Sequence, residues 1–164
     1  MSGKLAQSVS IEIVQVAAPT DEVRALVAEL DGELSGLYQP EQRHGLALHT
    51  IFQPHIRFFI ARVNGEPAGC GGVALFSDFA EIKRMYVRKQ SRGQGIADAV
   101  LETLCAVARH EGFTLVRLET GVHSLEAIRF YRRNGFTPCA SFGPYTSMPP
   151  ASIATSVFME KRLA

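Results

Sequence analysis

The segment "QSRGQGIA", Gln90 to Ala97, places Gly93 and Gly95 beside the cationic Arg92 just where an extended stretch gives way to a helical one. A helix's first turn offers unpaired backbone N–H groups and the positive end of its dipole, and glycines let that backbone approach a ligand closely. The chemistry this suits is anion binding, above all of a diphosphate. Lys83, Arg84, Arg88, Lys89 and Arg92 crowd the same region of a chain whose formal charge is only +1. Arg92 is expected to add a permanent charge at the rim, and Arg88 and Lys89 to reach a further phosphate or steer the ligand inward. A solvated strand and turn is the other account of the same charges. Just upstream stands a carboxylate, Glu81, at the start of the strand that leads into the glycine turn.

Other phosphate sites fit the pattern poorly. A P-loop needs Lys followed by Ser or Thr after its last glycine, and here Ile96 follows Gly95. A Gly-x-Gly-x-x-Gly dinucleotide turn would have a third glycine where Asp98 stands, and it lacks an apolar parallel strand opening the domain.

The elements that must position these groups follow from periodicity. "IEIVQVAA" reads as a strand. "PTDEVRALVAELDGEL" reads as a helix with Thr20 as N-cap and Asp21 and Glu22 in its first turn. Residues 35 to 55 are broken by Gly and Pro and read as a loop with a short helix, a natural substrate wall. "RFFIARV" and "AGCGGVALF", joined by "NGEP", read as a hairpin, and "FAEIKRMYV" as the next strand. From Gly95 to Glu111 the residues Ile96, Val100, Leu101, Leu104, Cys105 and Ala108 form a helical stripe. "FTLVRLET" is a strand, Ser124 opens a second helix that Asn134-Gly135 closes, and "FTPCASF" and "SIATSVFMEK" alternate like strands. The order argues an α/β mixed sheet, antiparallel in its N-terminal half, with a central parallel strand pair made by the crossover helix. Ligands tend to bind at the carboxyl ends of such a pair. At 164 residues, with 46% apolar composition, the chain is read as one domain, 1–164, whose first ten polar residues are compatible with disorder.

With those pieces in place, "YVRKQSRGQGIADAVLETL" resembles motif A of the GNAT superfamily of acetyl-CoA-dependent N-acetyltransferases. Gln90, Gly93 and Gly95 match it in one register, and Arg92, Gly95 and Ala97 in the other. "SLEAIRFYRRNGF" resembles motif B, with Ala127, Phe130, Tyr131, Gly135 and Phe136 in place and Ser124 where Asn is usual. The resemblance implies an acyl-CoA N-acyltransferase fold with acetyl-CoA as cosubstrate, and it implies no metal. It implies that Met85, Tyr86 and Val87 pair their backbone with the pantetheine arm, that Arg92, Gly93, Gln94, Gly95, Ile96 and Ala97 cradle the pyrophosphate, and that a splay between the two parallel strands admits the thioester. The resemblance also implies that Ser124 stands where the family's Asn contacts the pantetheine arm, with a hydroxyl in place of the amide.

Acetyl transfer to an amine needs a base, a donor to the developing oxyanion and an acid for the leaving thiolate. Glu81 has two readings: general base, if it points into the cleft, or a surface ion pair beside Lys83 and near Arg84. The resemblance implies that a backbone N–H around Tyr86 or Val87 meets the oxyanion. Tyr131 matches the family's general acid; a phenol with a pKa near about 10 is protonated at working pH. The expected reaction is direct attack by an amine acceptor, a small molecule or peptide, in a ternary complex. A non-catalytic acyl-CoA sensor on the same fold, and a nucleotide-binding oxidoreductase, are the competing readings.

Cys70, Cys105 and Cys139 form no metal or redox pattern and read as free thiols, the first two in the core. His44, His49 and His55 have no common ligand spacing. Near-neutral charge argues against nucleic acid, and no apolar run reaches the length of a membrane span. A soluble cytoplasmic enzyme is expected. Tyr145 and Met148, in the Pro-rich loop, are read as shaping an acceptor pocket; the other readings are that the loop only connects the last two strands or forms a homodimer contact.

Overall fold

The computed structural model describes residues 9–164. The disorder expected for the first ten residues therefore falls, up to residue 8, outside the described residues. A seven-stranded sheet runs in the order β1-β2-β3-β4-β5-β7-β6. The strands are β1 (Ile11–Val16), β2 (Ile56–Val63), β3 (Glu66–Leu75), β4 (Ala80–Val87), β5 (Leu115–Gly121), β6 (Thr137–Pro138) and β7 (Ser156–Arg162). Strands β1 to β4 pair antiparallel, β4 and β5 pair parallel, and β5, β7 and β6 pair antiparallel again. Asn64 and Gly65 both take positive φ, 50° and 84°, which makes the β2–β3 connection the tight turn that an Asn-Gly pair favours.

Helix α1 (Asp21–Ser35) starts at Thr20, whose Oγ1 accepts the Val23 N–H at 3.3 Å. It covers one face of the sheet, where Val23, Leu26, Val27 and Leu30 pack with Phe58, Ile60 and Tyr86. Helices α2 (Ile96–His110) and α3 (Leu125–Arg133) contribute to the core on the other face. The predicted α2 stripe, Ile96 through Ala108, is buried there in full. Each buried Ile, Val or Leu of the stripe contributes roughly 1.5–3 kcal/mol.

Two expectations change at the C-terminal end. "FTPCASF" pairs only through Thr137 and Pro138 before the chain turns into a 3-10 stretch, Gly143–Ser147, that folds Tyr145 inward. Pro149 and Pro150 open a short helix α4 (Pro150–Ile153), so the last strand begins later than its alternation suggests. Proline's fixed φ favours the first helical position and overrides the pattern locally.

The basic cluster is the larger correction. Arg84 bonds Asp31, Arg88 forks onto Glu29 with Nη2 at 2.8 Å and Nε at 3.0 Å, and Arg92 reaches Glu33 at 3.0 Å. Three cations of β4 and its following turn thus balance acidic residues of α1. Partly exposed pairs of this kind contribute about 0–1 kcal/mol each; their effect is to tie α1 to the rim of the opening described below. Of the arginine and lysine pair expected to steer a phosphate, Arg88 is engaged with Glu29 and Lys89 is exposed.

Candidate active site

The parallel ladder is short: Ala80 pairs with Val116, Glu81 with Arg117 and Ile82 with Leu118. Beyond that point β4 continues to Val87 and β5 to Gly121 without pairing to each other. The strands part, and a cleft of about 670 Å³ opens between them. Its walls come from α1 and the loop after it, from β4, from the start of α2, from β5, and from α3 with Tyr145.

A bulge shapes the β4 wall. Between the pairs Gly72–Lys83 and Cys70–Tyr86 the register shifts, and Arg84 takes φ 56°. Lys83 and Arg84 consequently both lie toward α1 and its loop. After the bulge, Arg88 N–H donates to the Ala68 carbonyl at 2.8 Å. By antiparallel alternation Tyr86 also spends its backbone groups on β3, while Met85 and Val87 turn theirs toward the opening. Of the three residues expected to meet the pantetheine arm, two therefore offer backbone groups. The Val87 carbonyl already accepts Arg92 Nε at 2.9 Å.

At the start of α2, Gly93 and Gly95 have φ 82° and 81°, and a Cβ on either would meet no protein atom within 4 Å. The consecutive N–H groups of Gly93, Gln94, Gly95, Ile96 and Ala97 donate to no acceptor among the described residues. Such a row of bare amides at a helix N-terminus suits a diphosphate. Gly93, Gly95, Ile96 and Ala97 line the cleft, as does Arg92, and the Gln94 side chain is exposed outside it. Arg92 serves there as the partner of Glu33, lying over the Tyr86 ring at 5.9 Å.

Tyr131 sits on the inner face of α3 between Phe130 and Phe136, 6% exposed, and it lines the cleft. Burial pushes its hydroxyl well above the usual phenol range, so it stays protonated. Ser124 precedes α3 but makes no side-chain cap; its Oγ lies 2.9 Å from the Tyr38 hydroxyl, which also accepts the His123 N–H at 3.0 Å. Tyr38 rests against Gly121, where any Cβ would overlap its ring. The absence of a side chain at Gly121 is what leaves room for the Tyr38 ring at the end of β5.

Glu81 is 2% exposed and does not line the cleft. Its Oε2 accepts from the Tyr145 hydroxyl at 2.7 Å and lies 3.0 Å from Lys83 Nζ, which donates to the same hydroxyl at 2.9 Å. Glu81 is thus found in an ion pair with Lys83, but a buried one and not the surface pair expected, and Tyr145 closes it into a triangle. Met148 packs with the neighbouring aromatic cluster of Phe79, Phe142 and Tyr145.

Sequence reasoning passed over Glu119. It is the first β5 residue beyond the parallel ladder, it lines the cleft, and its Oε2 accepts from Ser156 Oγ at 2.6 Å. Burial raises its pKa to about 7, against the lowering effects of the Ser156 hydroxyl and the Lys83 ammonium; the Glu81 carboxylate adds to the rise. The signal that could have found it is an acid at the carboxyl end of a parallel strand, beside the crevice.

His44 and His55 pack on Tyr145 and Phe76, and no group of three or more His, Cys, Asp or Glu able to hold a metal ion occurs among the described residues. Nor is any described helix long and apolar enough to cross a membrane. The free cysteines Cys70 and Cys105 are buried, as expected for core residues.

Comparison with known proteins agrees with this geometry. An IAA acetyltransferase of Azospirillum brasilense is 38% identical over 156 residues, covering 94% of this chain and 99% of that protein. A crystal structure from Klebsiella pneumoniae, assigned as an acyl-CoA N-acyltransferase, superposes with TM-score 0.74 at 36% identity, over 94% of this chain and 98% of the other. The PaiA N-acetyltransferase of Thermoplasma acidophilum, solved with coenzyme A, shares the fold at TM-score 0.69 and 17% identity, over 94% and 99% of the two chains. The model of the acetyltransferase (GNAT) family matches residues 23–136, more than half of the sequence, and the chain belongs to that family.

Proposed function

We propose that this acetyl-CoA-dependent N-acetyltransferase binds the diphosphate of its cosubstrate on the amides of Gly93 to Ala97, and that Glu119 and Tyr131 move the protons of transfer. The observation that carries the reading is the row of bare amides opening onto the β4–β5 splay. The freed edge of β4 at Met85 and Val87 can hold the amide-bearing pantetheine arm as a further strand. Arg92, braced by Glu33, walls that arm in, and Ser124 contributes a hydroxyl already fixed by Tyr38.

The amine must lose a proton to attack the thioester carbonyl. Glu119, with a pKa near neutrality and a place in the cleft wall, takes it directly or through a water. This role passes to Glu119 from Glu81, whose carboxylate is occupied by Lys83 and Tyr145. A backbone N–H of Met85 or Val87 meets the negative charge that develops on the thioester oxygen, worth a few kcal/mol when preorganised. Tyr131 donates its proton to the departing sulfur. The free thiols fit a reducing compartment, and the cytoplasm is part of this reading.

The test is thiol release from acetyl-CoA that depends on added amine. Binding of acetyl-CoA with no amine-dependent release across a broad acceptor panel would overturn the reading in favour of a sensor. Tyr131→Phe is expected to lower kcat about 100-fold, with acetyl-CoA affinity within about twofold of the parent. Unchanged turnover would remove the acid role.

A further inference from the structure

Most cations lining the cleft are already balanced: Arg84 by Asp31, Arg92 by Glu33, Lys83 by Glu81, and Arg133 by Asp98 at 3.9 Å. Arg43 is different. It lines the cleft, makes no ion pair or side-chain hydrogen bond among the described residues, and its Nε has essentially no solvent contact. Among the described residues, the other buried side-chain polar atoms without partners are Arg84 Nε, on a guanidinium that Asp31 neutralises, and the uncharged Thr155 Oγ1.

The loop carrying Arg43 is tied down on both sides. Gln39 N–H donates to Gln42 Oε1 at 3.1 Å within a capping box, and Arg43 N–H donates to the Pro40 carbonyl at 3.2 Å. The next residue, His44, sets Nε2 2.8 Å from the Ser152 carbonyl, and its own carbonyl accepts Lys83 Nζ at 3.4 Å. Its ring stands edge-on to Tyr145. The backbone carrying Arg43 is therefore tied, through His44, to Lys83 and Tyr145 of the Lys83–Tyr145–Glu81 triangle, and the Arg43 side chain lines the same cleft. The backbone is preorganised and the charge is unspent, which is what an anion-binding arginine requires.

We propose that Arg43 binds an acid group of the acceptor, a carboxylate or phosphonate, so that the substrates are small amines carrying an anion a few bonds from the reacting nitrogen. The proposal deepens the reading above and rests on it in placing the amine near Glu119. The planar guanidinium matches either anion through paired hydrogen bonds. A polyamine or aminoglycoside would instead bring a second positive charge against Arg43. Lys83, engaged by Glu81 and Tyr145, cannot take over the role.

A series of ω-amino acids from glycine to 4-aminobutyrate, each with its neutral amide and its phosphonate analogue, tests the assignment. The parent enzyme should favour an acid over its amide by at least about tenfold in kcat/KM. Arg43→Gln should lose that preference, mainly through KM, and Arg43→Lys should keep part of it. Amides used as well as acids, or a preference that survives Arg43→Gln, would overturn the anchor. Calorimetric titration of the same acids into enzyme with coenzyme A separates this from the reaction itself. Acids that bind the parent but not Arg43→Gln, without turnover, would leave the anchor standing and the transfer reading wrong. If no acid binds, the anchor is wrong even where neutral amines turn over. The tighter of the carboxylate and phosphonate arms identifies the anion.

Discussion

Glu119→Gln is expected to lower kcat/KM by about 10²–10⁴-fold and to erase the acidic limb of its pH profile. The parent should lose activity tenfold per pH unit below a pKa of about 7, because the base must be unprotonated and its folded pKa stands well above the ordinary 4.5. Gln keeps the shape of Glu and can still accept from Ser156 Oγ, so the loss reports the proton and not the packing. Linkage supplies an independent sign. A carboxyl whose pKa is raised by folding favours the native state below its unfolded value, and that contribution is lost as pH rises through the folded value. Above pH 7 the ionised Glu119 thus costs the fold on the order of 3 kcal/mol, and Glu119→Gln should be more stable than the parent at pH 8, with the gain vanishing toward pH 4. An enzyme made inactive and more stable by one change is the mark of a strained functional group. Glu81→Gln is the comparison. It breaks a buried ion pair and should destabilise the protein while the limb near pH 7 persists. If that limb vanishes in Glu81→Gln and survives in Glu119→Gln, the base is Glu81.

These two glutamates mark how far the sequence could be read. The strand order up to β5, the capped start of α1, the buried stripe of α2 and the crossover producing the parallel pair follow from local pattern, and the family motifs lie where those elements meet. What local pattern cannot carry is partnership across the fold. The arginines of β4 and its turn resemble a phosphate patch in sequence, but Asp31, Glu29 and Glu33 reach them from α1, more than fifty positions away. Glu81 resembles a base until Tyr145, folded in from the proline-rich loop, closes on it. Glu119 looked like an ordinary strand residue because its distinction is positional: the ladder stops at Leu118, and the next side chain of β5 falls where the strands part. The C-terminal region failed for a different reason. Alternation alone predicts a strand from Ser152, but Pro149 and Pro150 just before it start a helix that runs into Ile153.

Gly95→Val is expected to weaken acetyl-CoA binding by more than about 100-fold, through two effects with separate signatures. The residue holds φ 81° at the N-cap of α2, and a β-branched side chain there costs on the order of 1–2 kcal/mol in backbone strain. Strain alone would lower the melting temperature by several degrees. The second effect is invisible without ligand: the new Cβ meets no protein atom, so the branched side chain occupies the space above the bare amides. Gly112, just past the other end of the same helix, separates the two. It has φ 89°, an equally open Cβ position and no place in the cleft lining. Gly112→Val should therefore lose comparable stability and keep full affinity for acetyl-CoA, whereas Gly95→Val loses both. Gly95→Ala, which adds only the Cβ, should fall between. Since the amides act through their exposure to the diphosphate and not through any side chain, parental affinity in Gly95→Val would mean that the anion is held elsewhere, and the splay of β4 and β5 would lose its orienting anchor.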